Sequence, residues 1–255
     1  MARITVITNQ KGGVGKTSTA HALSAGLTDA GYRVLVIDCD PQSNLSYAMQ
    51  AEFNEKSLYE AMKSDIPIED MIQHTSQGDI VASSLLLAGA DMEFTDTGRE
   101  YILENILEPV KERYSHIIID TPPTLGILTT NALVACTDIV VPITADIFPL
   151  QGLSQLFNTI NKVKKYCRKN VIVAGILICR YSSRSIISRE LKEEIESITK
   201  KMDTNLYNSI IREGVAIRET QIQKSNPFHY APLSNPVLDY KSFINEYLNQ
   251  EKRGI

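Results

Sequence analysis

Eight consecutive residues, Lys11-Gly12-Gly13-Val14-Gly15-Lys16-Thr17-Ser18, carry the most specific chemistry in this chain. They follow a short β-branched run, Ile4–Thr8, and open an amphipathic stretch, the strand–loop–helix setting of a phosphate-binding P-loop. Glycines 12, 13 and 15 permit a tight turn that aims successive N–H groups at phosphate oxygens. The helix beginning near Lys16 adds the positive end of its dipole. Lys16 would bridge the β- and γ-phosphates of ATP, and the Thr17 hydroxyl would ligate Mg²⁺. A glycine-rich turn without a ligand is the bland alternative, and the flanking strand and helix argue against it.

Two further segments supply carboxylates. Val34-Leu35-Val36-Ile37-Asp38-Cys39-Asp40-Pro41-Gln42 ends an apolar run in a turn with two aspartates, and Ile117-Ile118-Ile119-Asp120-Thr121-Pro122-Pro123 ends another with one. Both place acids at the C-terminal edge of a parallel sheet, where ligands bind. Asp120 reads as a Walker B residue that holds Mg²⁺ through a water, because that ion dehydrates reluctantly. A lone aspartate after a strand is more often a turn or cap residue. Three of them behind a P-loop reverse that reading.

These residues need a scaffold, and the alternation of the chain supplies one. Strands are expected at Ile4–Thr8, Val34–Asp38, Asp79–Ala82, His116–Asp120, Ile139–Ile143 and Val171–Ile178, and helices near 16–30, 97–113, 150–167 and 186–201. Runs apolar on both faces suit parallel strands covered on each side. The expected fold is α/β, a doubly wound, mostly parallel sheet with helices on both faces. The 255 residues read as one domain, 1–255, with 43% hydrophobic and 22% charged residues. No linker or repeat interrupts them. A terminal helix is expected over Lys241–Ile255 with Phe243, Tyr247 and Leu248 inward, after a loop marked by Pro227, Pro232 and Pro236.

Composition removes other classes. The longest apolar stretch, Val171–Cys179, has nine residues and is too short to span a bilayer. The N-terminus runs straight into a strand rather than a signal peptide, which implies a cytoplasmic protein. The four cysteines, 39, 136, 167 and 179, form no CxxC pair for zinc or redox work. Charge is polarised within a net of −4: residues 161–201 carry eleven basic side chains against four glutamates. Such a segment is either a solvated helix surface with pairs such as Arg189–Glu193 or a face for a polyanion.

The lysine at position 11, where most P-loops begin with glycine, makes this box resemble that of the deviant Walker A ATPases, the ParA/MinD family. The segments ITNQKGGVGKTSTA, VLVIDCDPQSN, IIIDTPPTLGILTTNAL and PLQGLSQLFNTI are most similar to those of the ParA/Soj partition ATPases, and the likeness runs over nearly the whole chain. The resemblance implies an ATP- and Mg²⁺-dependent ATPase, slow and stimulated by a partner. Lys11 would reach across a homodimer, face to face over two nucleotides, to the partner's phosphates. The cofactor-binding set is then Lys11, Gly12, Gly13, Val14, Gly15, Lys16, Thr17 and Ser18; the metal set is Thr17, Asp38 and Asp120. The catalytic set is Lys11, Lys16 and Asp40, with Asp40 positioning or activating the attacking water and Asp38 organising Mg²⁺ and its waters.

The same resemblance implies non-specific DNA binding by the ATP-bound dimer, nucleoid association in that state, and a centromere-binding partner of the ParB type. By position in SSRSIISREL, Arg184 is the first candidate for DNA contact, with Arg189 and Arg218 behind it. The P-loop begins at residue 11, so no N-terminal DNA-reading extension of the kind some plasmid relatives carry is expected. The adenine contacts stay open, because the family's motif near strand eight appears only as Ile211-Arg212-Glu213-Gly214. A MinD-like membrane-positioning ATPase is the first alternative, but its basic amphipathic tail is missing and no membrane partner is expected. A P-loop phosphotransferase acting on a small molecule is the second, and it would gain nothing from Lys11.

Overall fold

A computed structural model describes residues 1–54, 56–64, 66–144, 149–167, 169–182, 186–202 and 204–252, without the side chains of 149–151, 186–192, 201, 251 and 252. The strands are β1 (Arg3–Ile7), β2 (Val34–Asp38), β3 (Ile72–Thr75), β4 (Gly78–Val81), β5 (His116–Asp120), β6 (Asp138–Thr144), β7 (Ile172–Tyr181) and β8 (Leu206–Arg212). They form one sheet in the order β3-β4-β2-β5-β1-β6-β7-β8, parallel throughout except for the β3–β4 hairpin. The helices are α1 (Lys16–Asp29), α2 (Asn44–Ala48), α3 (Leu58–Lys63), α4 (Ile68–Met71), α5 (Ala90–Glu93), α6 (Ile102–Leu107), α7 (Ile127–Ala135), α8 (Pro149–Tyr166), α9 (Ile186–Lys201), α10 (Ala216–Ile222), α11 (Pro227–Tyr230) and α12 (Asn235–Lys252).

The sheet separates two apolar cores, and the side-chain period of two assigns successive residues to them. Ile117 and Ile119 enter the core shared with α6 and α7, while Ile118 between them enters the core shared with α1 and α12. All residues of β2, β5 and β6 are buried, as a sheet covered on both faces requires. This packing brings the C-terminal ends of β1, β2 and β5 to one edge in register, with Ile7 and Asp38 both opposite Asp120.

The doubly wound expectation holds, and the six expected strands are present, β2 and β5 to the residue and the other four with ends shifted by one to three residues. The differences have local causes. The expected 97–113 helix breaks into α6 between two 3₁₀ turns, Arg99–Tyr101 and Glu108–Val110, the second carrying Pro109 in its first positions. Helix α12 begins at Asn235, earlier than expected, because Pro236 sits in its first turn, where a missing N–H costs nothing. Phe243 and Tyr247 are buried as expected, and Leu248 partly so.

Strands β3 and β8 were not expected, and both lie at sheet edges. The free edge of β8 is covered by carboxylates of α12. Glu246 accepts the N–H groups of Asn208 (2.8 Å) and Ser209 (3.0 Å) together with both side chains, and Asp239 accepts the N–H of Arg212 (2.9 Å) and its guanidinium. Glu246→Ala strips Asn208 and Ser209 of their acceptor. Water reaches these half-exposed groups, so denaturant unfolding should show a loss of about 1 kcal/mol.

Candidate nucleotide site

The P-loop takes its shape from two glycines in the left-handed region, Gly13 (φ 73°) and Gly15 (φ 98°), which a side chain would strain. Asn9 anchors its entry: the side-chain amide donates to the carbonyl of Pro142 in β6 (2.8 Å), and its Oδ1 accepts the N–H of Lys11 (3.0 Å). Lys16 folds back so that its Nζ donates to the carbonyl of Lys11 (3.1 Å). Lys11 itself is exposed at the mouth of the loop. Thr17 Oγ1 donates to Oδ2 of Asp120 (2.7 Å), joining the start of α1 to the end of β5.

Asp120 is fully buried, and its second oxygen, Oδ1, has no hydrogen-bond partner among the described residues. Burial pushes its carboxyl well above the usual range, and the neighbouring Asp38 adds to that, while Thr17 and Lys16 oppose. Burial likewise lowers Lys16, against the pull of Asp120 and Asp40. An orphaned carboxylate oxygen beside a threonine hydroxyl is a hard-oxygen donor set that fits Mg²⁺, an ion that keeps most of its own waters and needs only one or two protein oxygens.

The two aspartates at the end of β2 part company. Asp40 lines the cleft; its Oδ1 accepts the N–H of Gln42 (3.0 Å), and its carbonyl is held by Ser83 Oγ (2.6 Å) and the N–H of Ser43 (2.8 Å). Asp38, like Asp120, is fully buried behind the cleft lining. Its Oδ1 accepts the N–H of Asp40 (3.1 Å), and its Oδ2 accepts the N–H and hydroxyl of Ser46 (2.8 and 2.7 Å). Burial nevertheless raises its carboxyl to about 6. Both oxygens of Asp38, expected as a metal residue, are engaged in tying the Asp40 turn to α2.

The cleft has a volume of about 700 Å³. Beyond the P-loop it is walled by Cys179 and Arg180 at the end of β7, by Ile211–Gly214 at and just past the end of β8, and by Pro236 and Tyr240 of α12. Arg218, on the exposed face of α10, also lines it, which sets this arginine apart from the basic 161–201 segment. Arg184 lies outside the described residues, as does the side chain of Arg189 on α9. Lys162, Lys164 and Lys165 are exposed on α8. Arg180 and Glu213 were not anticipated as site residues. Arg180 sits at the same C-terminal sheet edge as the aspartates, and in the sequence it is one of the eleven basic side chains of 161–201.

A family described as an AAA domain matches residues 2–173. The sporulation initiation inhibitor protein Soj of Bacillus subtilis is 36% identical over 251 residues, 96% of this chain and 98% of that protein. The chromosome partitioning protein ParA of Myxococcus xanthus is 36% identical over 224 residues, 86% of this chain and 78% of that protein. The chain belongs to the ParA/Soj family of partition ATPases. In structure, this ParA/Soj protein is similar to the cobyrinic acid a,c-diamide synthase of Mycobacterium smegmatis, solved with bound ADP and magnesium, with a TM-score of 0.86 at 28% identity over 100% of this chain and 97% of that one. Among the described residues no helix is long and apolar enough to cross a membrane.

The buried acids give the ParA/Soj protein a pH dependence whose sign follows from linkage. A carboxyl raised on folding makes the folded state hold more protons than the unfolded chain between the two pKa values. Its stabilisation is complete below the unfolded value near 4 and is lost as pH rises through the folded one, about 6 for Asp38 and well above the usual carboxylate range for Asp120. In chelator and without nucleotide, the unfolding free energy should therefore fall between pH 5 and pH 7. Asp120→Asn, which keeps an acceptor for Thr17, should flatten that slope in denaturant titrations. An unchanged slope in the variant would contradict the assignment.

Proposed function

We propose that this protein is an ATP-dependent DNA partition ATPase whose nucleotide state sets its oligomeric state and its hold on DNA. One observation carries the reading: Lys16, Thr17 and Asp40 line one cleft, Asp120 is buried behind it and bonded to Thr17, and Lys11 is exposed on the same loop. The P-loop amides, Lys16 and Ser18 bind and orient the triphosphate of ATP. Thr17 and Asp120 would hold Mg²⁺, which would supply positive charge against the phosphates. Asp40 orients the attacking water and accepts its proton. Asp38 keeps the Asp40 turn in place.

Lys11 belongs to a different step. From an exposed loop it reaches a second copy's phosphates, so two protomers close face to face only when ATP is present. A cation supplied in this way also stabilises charge that develops in phosphoryl transfer. Dimerisation doubles a weak basic surface formed by the 161–201 segment, with Arg184 and Arg189 as the arginines to test there and Arg218, at the cleft, as the third. Two weak patches acting together gain avidity. Hydrolysis, stimulated by a ParB-type centromere-binding protein, then releases dimer and DNA. The ATP-bound form is nucleoid-associated in the cell.

The test is retention of arbitrary-sequence DNA by the full chain with ATP, ADP or no nucleotide, at several salt concentrations, beside Arg184→Glu. Retention only with ATP, lost in high salt and in the variant, is the expected result, since phosphate contacts release counterions. ATP-driven dimers that ignore DNA would overturn the cargo assignment and leave the ATPase reading standing.

A further inference from the structure

Strand β7 ends against the P-loop in an unusual way. Arg180, its penultimate residue, has φ 54°, a left-handed conformation that non-glycine residues adopt rarely and only where the surroundings impose it. Its guanidinium spans two loops. Nη1 donates to the carbonyl of Gly13 (3.3 Å), and Nη2 donates to Oε1 of Glu213 just past β8 (3.1 Å). All three residues line the cleft. The preceding residue, Cys179, packs under the same loop: a Cβ placed on Gly15 would stand 3.5 Å from that of Cys179. The end of β7 therefore touches the P-loop at two successive residues, and a strained backbone aims the second of them.

We propose that Arg180 is a positioning residue for phosphate binding that acts through the Gly13–Val14 peptide; this rests on the P-loop being the nucleotide site. The carbonyl and N–H of one trans peptide unit point in opposite directions. A donor fixed on the carbonyl of Gly13 therefore fixes the direction of the Val14 N–H, one of the successive amides from which a phosphate-binding nest is made. Gly13 brings the conformational freedom of a glycine at φ 73°, so its peptide needs an external hold. Glu213 supplies the other half of the device. Its carboxylate occupies the second arm of the guanidinium and steadies the fork, and Arg180 in turn neutralises an acid that would repel a polyphosphate.

The test is calorimetric binding of Mg²⁺–ADP and of Mg²⁺–pyrophosphate to the full chain, with steady-state ATP hydrolysis alongside. Arg180→Gln should weaken both ligands by about tenfold, the loss of one charge-assisted hydrogen bond. KM for ATP should rise in proportion while kcat stays within about twofold, because the lost contact serves ground state and transition state alike. Arg180→Lys, which keeps a cationic donor, should recover part of the affinity. Arg180→Gly should bind as poorly as Arg180→Gln without a lower melting temperature, since glycine takes this φ unstrained; a merely structural role would lower both together. Unchanged pyrophosphate affinity in Arg180→Gln would overturn the proposal, and if ADP alone were weakened the arginine would serve the nucleoside end. A wild-type protein that binds neither ligand would overturn the nucleotide reading itself.

Discussion

Asp40→Asn should bind ATP as the wild type does and hydrolyse it about 10²- to 10⁴-fold more slowly, the range for removing a general base. The substitution is nearly isosteric. The asparagine oxygen can still accept the N–H of Gln42, and the backbone carbonyl keeps its bonds from Ser83 and Ser43, so the turn stays in place. What is lost is the negative charge facing the cleft. The same change two residues earlier should behave differently. In Asp38→Asn an amide nitrogen replaces one of two oxygens that both accept hydrogen bonds, and it meets a donor from Ser46 or Asp40. Leaving such a group buried and unpaired costs about 1–3 kcal/mol. Asp40→Asn is thus expected to show a kcat defect at normal stability, and Asp38→Asn a stability defect. Single-turnover hydrolysis and denaturant unfolding of the two variants, side by side, check both halves. Equal defects in both assays would refute the division of labour.

Lys16→Met should abolish detectable turnover and weaken Mg²⁺–ADP by more than about 100-fold, as the cost of a preorganised transition-state contact suggests. Lys16 is a buried cation held between the loop carbonyl of Lys11 and the carboxylates of Asp120 and Asp40. Methionine fills its volume but supplies neither charge nor donor. The loss also reaches Asp120, whose carboxyl Lys16 helps to hold down. Without that cation Asp120 stays protonated to higher pH, which weakens the Mg²⁺ donor set from the other side. The two effects act in one direction, so affinity should recover little when Mg²⁺ is raised. Calorimetry with ADP at two Mg²⁺ concentrations measures this, and near-wild-type affinity would contradict the account.

The parts of the site that could be read from the sequence are those whose chemistry is local. The P-loop is eight adjacent residues, Asp120 closes one short apolar run, and Asp40 stands two residues past another, both of them buried strands. The role of Asp38 was hidden because it depends on Ser46 folding back from the start of α2. Arg180 was hidden for a similar reason, since its partners lie 167 and 33 residues away. In the fold, central strands announce themselves by burial on both faces. Edge strand β8 does not: it mixes Leu206 and Tyr207 with Asn208 and Ser209, and its outer donors are met by carboxylates of a distant helix rather than by another strand. The interrupted 97–113 segment kept a helical pattern of apolar residues, but Gly98 (φ 87°) and Pro109 set where the regular helix could run.

The central claim is that ATP, held in the cleft and reached by Lys11 from a second copy, drives two protomers together. Its most direct test is the solution mass of Asp40→Asn by light scattering, because blocked hydrolysis holds the ATP state long enough to weigh. Twice the monomer mass with Mg²⁺–ATP, and the monomer mass with Mg²⁺–ADP or in the additional presence of Lys11→Ala, is the predicted result. A single mass, unchanged across nucleotides and unaffected by Lys11→Ala, would contradict it.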